Sequence, residues 1–166
     1  MQALQEDGPG ASAVLVYRDE GLWQAAPLPD VLAEDLDGLV EALDAQPGDG
    51  GGFVLVDVAH EFFVVVRLAG GQARVLLSDV TAAVAWDLAR DVLEALDLDV
   101  PDDDELEEVL PAGDLGIFDD LGLDEMEMGM VLSDLDLYAD EMLTALSRRL
   151  GFADAYERVV AALDRL

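Results

Sequence analysis

The sequence predicts an α+β fold, and three observations carry that prediction. Short apolar runs separated by Gly, Pro and acidic turn residues occupy most of residues 13–78. Leucines and valines recurring at three and four residues mark helices between and after those runs. Beyond an acidic stretch bracketed by Pro101 and Pro111 the pattern is helical. The first part therefore reads ββαβββα: an N-terminal antiparallel sheet covered by helices on one side, followed by an acidic linker and a small C-terminal helical part.

The elements follow in order. AVLVYR (13–18) and LWQAAPL (22–28) flank Asp19-Glu20-Gly21, a hairpin signal. Asp30, after Pro29, is placed to cap a helix whose Leu32, Leu36, Leu39 and Leu43 form one face, with Glu34, Asp37, Glu41 and Asp44 opposite. PGDGGG at 47–52 ends that helix. Three strands are expected next, at 53–58, 61–68 and 73–78, with Gly70-Gly71 as a tight turn between the last two. Ser78 or Asp79 can cap a long helix over 80–96, with Val80, Val84, Leu88 and Val92 along one side.

In the C-terminal part, Asp124 and Glu127 are spaced as a capping box ahead of Met128, Val131 and Leu135. A further helix is expected over 139–150, with Gly151 as its stop, and a last one over 153–165 carrying Tyr156, Val159, Val160 and Leu163. The expected organisation is a sheet domain at 12–96, an acidic Pro-bracketed linker at 97–116 and a helical part at 117–166, the last either separate or packed on the first as one unit.

Charge narrows function. The 166 residues carry 8 basic and 38 acidic side chains, a net charge of −30, and every basic residue is an arginine. From Asp91 to Ser147 there are 20 Asp and Glu and no basic residue. Such a surface repels phosphate backbones, which proteins bind by displacing counterions with Lys and Arg, so direct contact with nucleic acid or an anionic membrane is not expected. A basic protein partner suits the field. The chain has no cysteine, which removes disulfides, thiolate metal sites and cysteine nucleophiles. The N-terminal MQALQEDGPG lacks the pattern of a signal peptide, and the apolar run FFVVV is far shorter than a membrane span; the expectation is a soluble cytoplasmic protein.

Asp102, Asp103, Asp104, Glu105, Glu107 and Glu108 form the densest acidic patch, yet no register supplies the ligand spacing of a calcium loop. A solvated linker is the plain reading of this run and a docking strip for a basic partner the functional one. His60, the sole histidine, has Val64 where a zinc protease helix needs a second histidine, so a turn position is expected for it. Gly50-Gly51-Gly52 precedes a strand rather than a helix and offers no anion cradle. No serine stands in a nucleophile elbow. Met126, Met128 and Met130 cluster on one predicted helix; 126 and 130 share a face and 128 points elsewhere, so one side fits a core and the other a soft contact surface. No cofactor is expected, and a carboxylate–metal enzyme is the minor alternative.

Several stretches together carry a family resemblance: EFFVVVR at 61–67, RVLLSDVTAAVAWDLARDVLEALDLDVPDDD at 74–104, PAGDLGIFDDLGLDEMEM at 111–128, and LYADEML followed by RLGF within 137–152. The chain resembles the actinobacterial tRNA adenosine deaminase-associated proteins over roughly residues 13–160. The resemblance implies association with the deaminase that converts the wobble adenosine of tRNA to inosine, and supplies no catalytic residues. A zinc deaminase needs an H-x-E element and a P-C-x-x-C element. Here His60 and Glu61 are adjacent and cysteine is absent, so the chain is not itself that enzyme. Two readings follow: an acidic accessory protein of the deaminase, acting as regulator, chaperone or competitor of tRNA, or a binding module for another basic protein.

Overall fold

A computed structural model describes residues 11–29, 32–33, 35–45, 52–69, 72–100, 110–134 and 136–164. Asp30, Glu34, Leu135, Arg165, the turn glycines Gly70 and Gly71, residues 47–51, and Asp102, Asp103, Asp104, Glu105, Glu107 and Glu108 lie outside the described residues. The architecture is α+β. A six-stranded sheet is formed by β1 (Ala11–Asp19), β2 (Leu22–Leu28), β3 (Phe53–Val58), β4 (Phe62–Ala69), β5 (Gln72–Leu77) and β6 (Ala112–Gly113). Spatial order is β2-β1-β3-β4-β5-β6, and every neighbouring pair is antiparallel.

Turn chemistry sets the registers. Glu20 (φ 55°) and Gly21 (φ 81°) both take positive φ, so Asp19 pairs directly with Leu22 across a two-residue hairpin whose twist matches the strands. The β3–β4 turn puts two non-glycine residues, Ala59 (φ 54°) and His60 (φ 60°), in the left-handed region. That conformation costs on the order of 1 kcal/mol or more per residue. It is held by the Asp57 carboxylate, which accepts from the His60 N–H at 3.0 Å, and by Val58, whose carbonyl accepts from the Glu61 N–H at 2.9 Å.

The sixth strand adds to the five that the sequence predicts. Two residues are too few to show an alternating pattern, and their pairing is visible only in three dimensions: Gly113 lies opposite Leu76 and Ala112 opposite Leu77. Gly113 has φ 106°, and a Cβ there would collide with the Val75 carbonyl oxygen, so glycine permits this close approach.

Two helices differ from their predicted limits. The first, α1, spans Leu36–Asp44 and is capped by Asp35, whose carboxylate accepts from the Gly38 N–H at 2.7 Å. The expected 80–96 helix is broken. Val80–Val84 form a 3-10 turn capped by Asp79, and α2 spans Asp87–Ala95. Between them Trp86 is extended (φ −121°, ψ 126°) and its ring stands 6.0 Å from that of Phe62. Arg90 donates to the Ala83 and Val84 carbonyls at 2.7 Å, satisfying the acceptors exposed by the break. The remaining helices are α3 (Glu125–Leu132), α4 (Ala139–Leu150) and α5 (Ala153–Asp164). Gly151, at φ 96°, ends α4 as its spacing predicts.

The sheet is covered on both faces. Leu36, Leu39 and Leu43 of α1, with Leu88, Ala89, Val92 and Leu93 of α2, pack on Val54, Val56, Val64 and Val66. The opposite face, Phe53, Leu55, Phe63 and Val65, receives Ile117, Phe118 and Leu123, then Met128 of α3, Leu143 and Leu146 of α4 and Tyr156 of α5. Phe53, Phe118, Phe152 and Trp23 form a chain of ring contacts at 4.8–5.9 Å across this second layer. Central strands sandwiched in this way are apolar at successive positions rather than alternating, as FVLVDV and FFVVV are.

Candidate functional site

The segment leading into α3 is fixed from beneath by charge. Arg67 of β4 is buried and forms a bidentate pair with Asp120, at 2.7 and 2.8 Å, while also donating to the Ile117 carbonyl at 2.6 Å. The Arg67 guanidinium holds the Asp120 carboxyl below its ordinary value. Arg74, directly across the β4–β5 ladder from Arg67, pairs with Asp114 and donates to the Gly116 carbonyl at 3.0 Å. Two adjacent sheet arginines thus clamp the 114–120 loop. Gly122 (φ 101°) then reverses the chain, and Asp124 caps α3 by accepting from the Glu127 N–H at 2.9 Å.

The Asp124–Glu127 box predicted from spacing forms only on the Asp124 side. The Glu127 carboxylate turns instead to Arg149 of α4, with contacts at 2.9 and 3.0 Å, and Arg149 also donates to the Gly122 carbonyl at 2.8 Å. The short helix α3 is therefore tied at its first turn to the end of α4. Met128 and Leu132 face the core, whereas Met126 is 77 % exposed and Met130 68 % exposed. At about 100° per residue, Met126, Gly129, Met130 and Ser133 share the outward side of α3. The Ser133 hydroxyl donates to the Gly129 carbonyl at 2.7 Å. Asp124 and Glu125 at the start of α3, and Asp134 and Asp136 just beyond its end, are exposed.

The predicted docking residues therefore divide. Met126 and Met130 stand together on one exposed face, and the six carboxylates of the acidic run lie outside the described residues. Burying Met128 and exposing Met126 and Met130 follows from the two-residue spacing of the three methionines.

A second cluster escaped sequence reading. Asp57 is buried in β3, and its carboxylate stands 2.6 Å from His60 Nδ1; Asp140, in the first turn of α4, lies 3.8 Å from the same nitrogen. The His60 carbonyl accepts from the Ala139 N–H at 3.2 Å, so the β3–β4 turn grips the start of α4. Burial pushes the Asp57 carboxyl up, with the His60 contacts acting in opposition. Burial also pushes the Tyr156 phenol up, reinforced by the nearby Asp57 and Asp140 carboxylates. The sequence signal was a single Asp inside an otherwise apolar strand, three residues before the only histidine. Among the described residues no group of three or more His, Asp and Glu side chains is arranged to hold a metal ion. This cluster is a turn-to-helix clasp.

A third feature is a groove of about 510 Å³ between β2 and α5, lined by Trp23, Gln24, Phe152, Asp154, Arg158 and Val159. Among the described residues no helix is long and apolar enough to cross a membrane.

The family model described as "Rv3753c-like tRNA adenosine deaminase-associated protein" matches residues 11–153. Protein Rv3753c of Mycobacterium tuberculosis (strain ATCC 25618 / H37Rv) is 41 % identical over 167 aligned positions, which cover 99 % of this chain and 96 % of that relative. No solved structure matches the chain.

Proposed function

The chain belongs to the Rv3753c-like tRNA adenosine deaminase-associated protein family, and from that premise we propose that it is a non-catalytic, cytoplasmic accessory protein that docks on the tRNA adenosine deaminase. The observation that carries this reading is the outward face of α3, where Met126 and Met130 are exposed on a helix capped by Asp124 and braced by Arg149. A soft apolar pair on a fixed support, set in the stretch from Asp91 to Ser147 that has 20 carboxylates and no basic residue, is chemically suited to a protein surface rich in Lys and Arg. A deaminase that binds tRNA needs such a surface for the phosphate backbone.

The same charge speaks against this chain contacting tRNA itself. The absence of cysteine and the presence of one histidine leave it without the zinc ligands of a deaminase. By covering a basic surface it acts as a regulator, a chaperone or a competitor of tRNA. The run from Asp102 to Glu108 extends the acidic contact in this proposal. Calorimetric titration into the deaminase of the same organism, at low ionic strength, tests it: a saturable complex is expected, and absence of binding removes direct association. A complex found instead with a different basic protein would keep the docking face and make the family association genomic rather than physical.

A further inference from the structure

Resting on that docking reading, we propose that the partner element received by α3 is itself a helix, amphipathic and basic, that crosses α3 at Gly129. Met126, Gly129, Met130 and Ser133 follow the i, i+3, i+4, i+7 spacing of a helix-packing face, yet this face points outward, and its two methionines are among the most exposed apolar side chains described. In the middle of the helix stands a glycine that neither the turn geometry nor the core requires. Gly129 has no positive φ, and a Cβ built there meets no atom within 4 Å. Glycine in a helix interior is unfavourable relative to alanine, so this uncrowded glycine costs the helix stability with no compensating contact among the described residues. Beside the two long thioethers it leaves a notch into which a side chain of a crossing helix can sit, bringing the two backbones close.

The chemistry of the occupant follows from what surrounds the notch. The α3 backbone is bonded within its own helix and offers no free edge, so an extended peptide would gain no main-chain pairing there. On the helical wheel Glu125 and Glu127 fall on opposite flanks of the Met126–Met130 stripe, and Asp134 and Asp136 follow at its end. Glu127 is matched by Arg149 within the molecule, while Glu125, Asp134 and Asp136 are exposed. A partner helix with an apolar stripe edged by Lys or Arg is complementary to this arrangement. A second copy of this chain is not, because two molecules of charge −30 would bring like-charged rims together.

Three variants separate the outcomes in titrations against the tRNA adenosine deaminase of the same organism: Gly129→Ala, Gly129→Leu and the double variant Met126→Ser/Met130→Ser. Gly129→Ala is expected to raise the thermal midpoint of the free chain while weakening the complex several-fold. Gly129→Leu is expected to weaken it further, by roughly tenfold or more, the usual scale of overfilling a packed contact. Met126→Ser/Met130→Ser should weaken it by at least about tenfold, as removal of central apolar anchors does. If the methionine variant weakens binding and both glycine variants bind like wild type, close helix crossing is overturned while the docking face stands. If a complex forms and none of the three changes it, the α3 face is not the contact and this inference is overturned while association stands; if no complex forms, both readings fail. If the free wild-type chain sediments as an oligomer that Gly129→Leu and Met126→Ser/Met130→Ser disrupt, the face serves self-association and the proposed occupant is wrong.

Discussion

Arg67 and Asp120 form a pair whose two ends sit in unlike surroundings, and truncating each end should therefore have unlike effects. The Arg67 side chain is 7 % exposed and the Asp120 side chain 56 % exposed. The guanidinium has two contacts to Asp120 and one to the Ile117 carbonyl, and its buried Nε has no partner. Asp120→Ala strands a buried cation. Breaking a fully buried pair costs about 3–5 kcal/mol, but water can reach the vacated Asp120 position, so about 1–3 kcal/mol is expected. Arg67→Met removes the desolvated cation, fills its volume with an apolar chain and returns Asp120 to water. Its main loss is the donor to Ile117, about 1 kcal/mol, offset by the relief of burying charge. Arg67→Met should fall within about 1 kcal/mol of wild type, and the double variant should match Arg67→Met within about 0.5 kcal/mol. Urea unfolding followed by tryptophan fluorescence measures all four proteins. An Arg67→Met loss equal to or larger than that of Asp120→Ala would refute the reasoning, because the ion pair would then be a net stabiliser.

Two further outcomes follow from the same layer. The folded-state pKa of Asp120 is lowered, chiefly by the hydrogen bond from Arg67, so its contribution is complete above the unfolded carboxylate value of about 3.9 and lost as pH falls through the lowered value. The stability gap between wild type and Asp120→Asn should stay constant from pH 7 to about 5 and close below about 4; a gap that widens on acidification would contradict the assignment. Leu143 of α4 is fully buried against the sheet, and Leu143→Ala should cost about 2–5 kcal/mol. Within each single-tryptophan variant, retaining Trp23 on the α5 side or Trp86 on the α2 side, the fluorescence and far-UV circular dichroism transitions in urea should coincide, whereas a circular dichroism transition separated from the fluorescence one in the same variant would show that the two helical layers unfold independently.

Local chemistry was legible wherever one residue type dictates a conformation. Glu20-Gly21 in its hairpin, Asp124 at the start of α3 and Gly151 at the end of α4 are where spacing puts them. Features set by distant partners were not. The break at Trp86 depends on Phe62 and on Arg90 reaching back to two carbonyls. The β6 pairing depends on Gly113 fitting against the Val75 carbonyl. The Asp124–Glu127 spacing alone predicts a reciprocal box, whereas Arg149, 22 residues away, competes for Glu127 only in the folded chain. The second helical layer did leave a trace: β3 and β4 lack the alternation of a half-exposed sheet, which means that something must cover their other face. At the candidate site, the methionine spacing separated the outward pair from the core residue. The notch at Gly129 needed the structure, since a glycine in a helical pattern does not say which way it faces.

The most direct test of the docking account is one titration of this chain into its organism's tRNA adenosine deaminase, run at low and at high ionic strength with the wild type and the Met126→Ser/Met130→Ser variant. The account predicts a complex at low salt that weakens as salt screens the acidic face, and that weakens at both salt concentrations when the two methionines are replaced. A complex indifferent to both salt and the methionine replacements, or no complex at all, would contradict it.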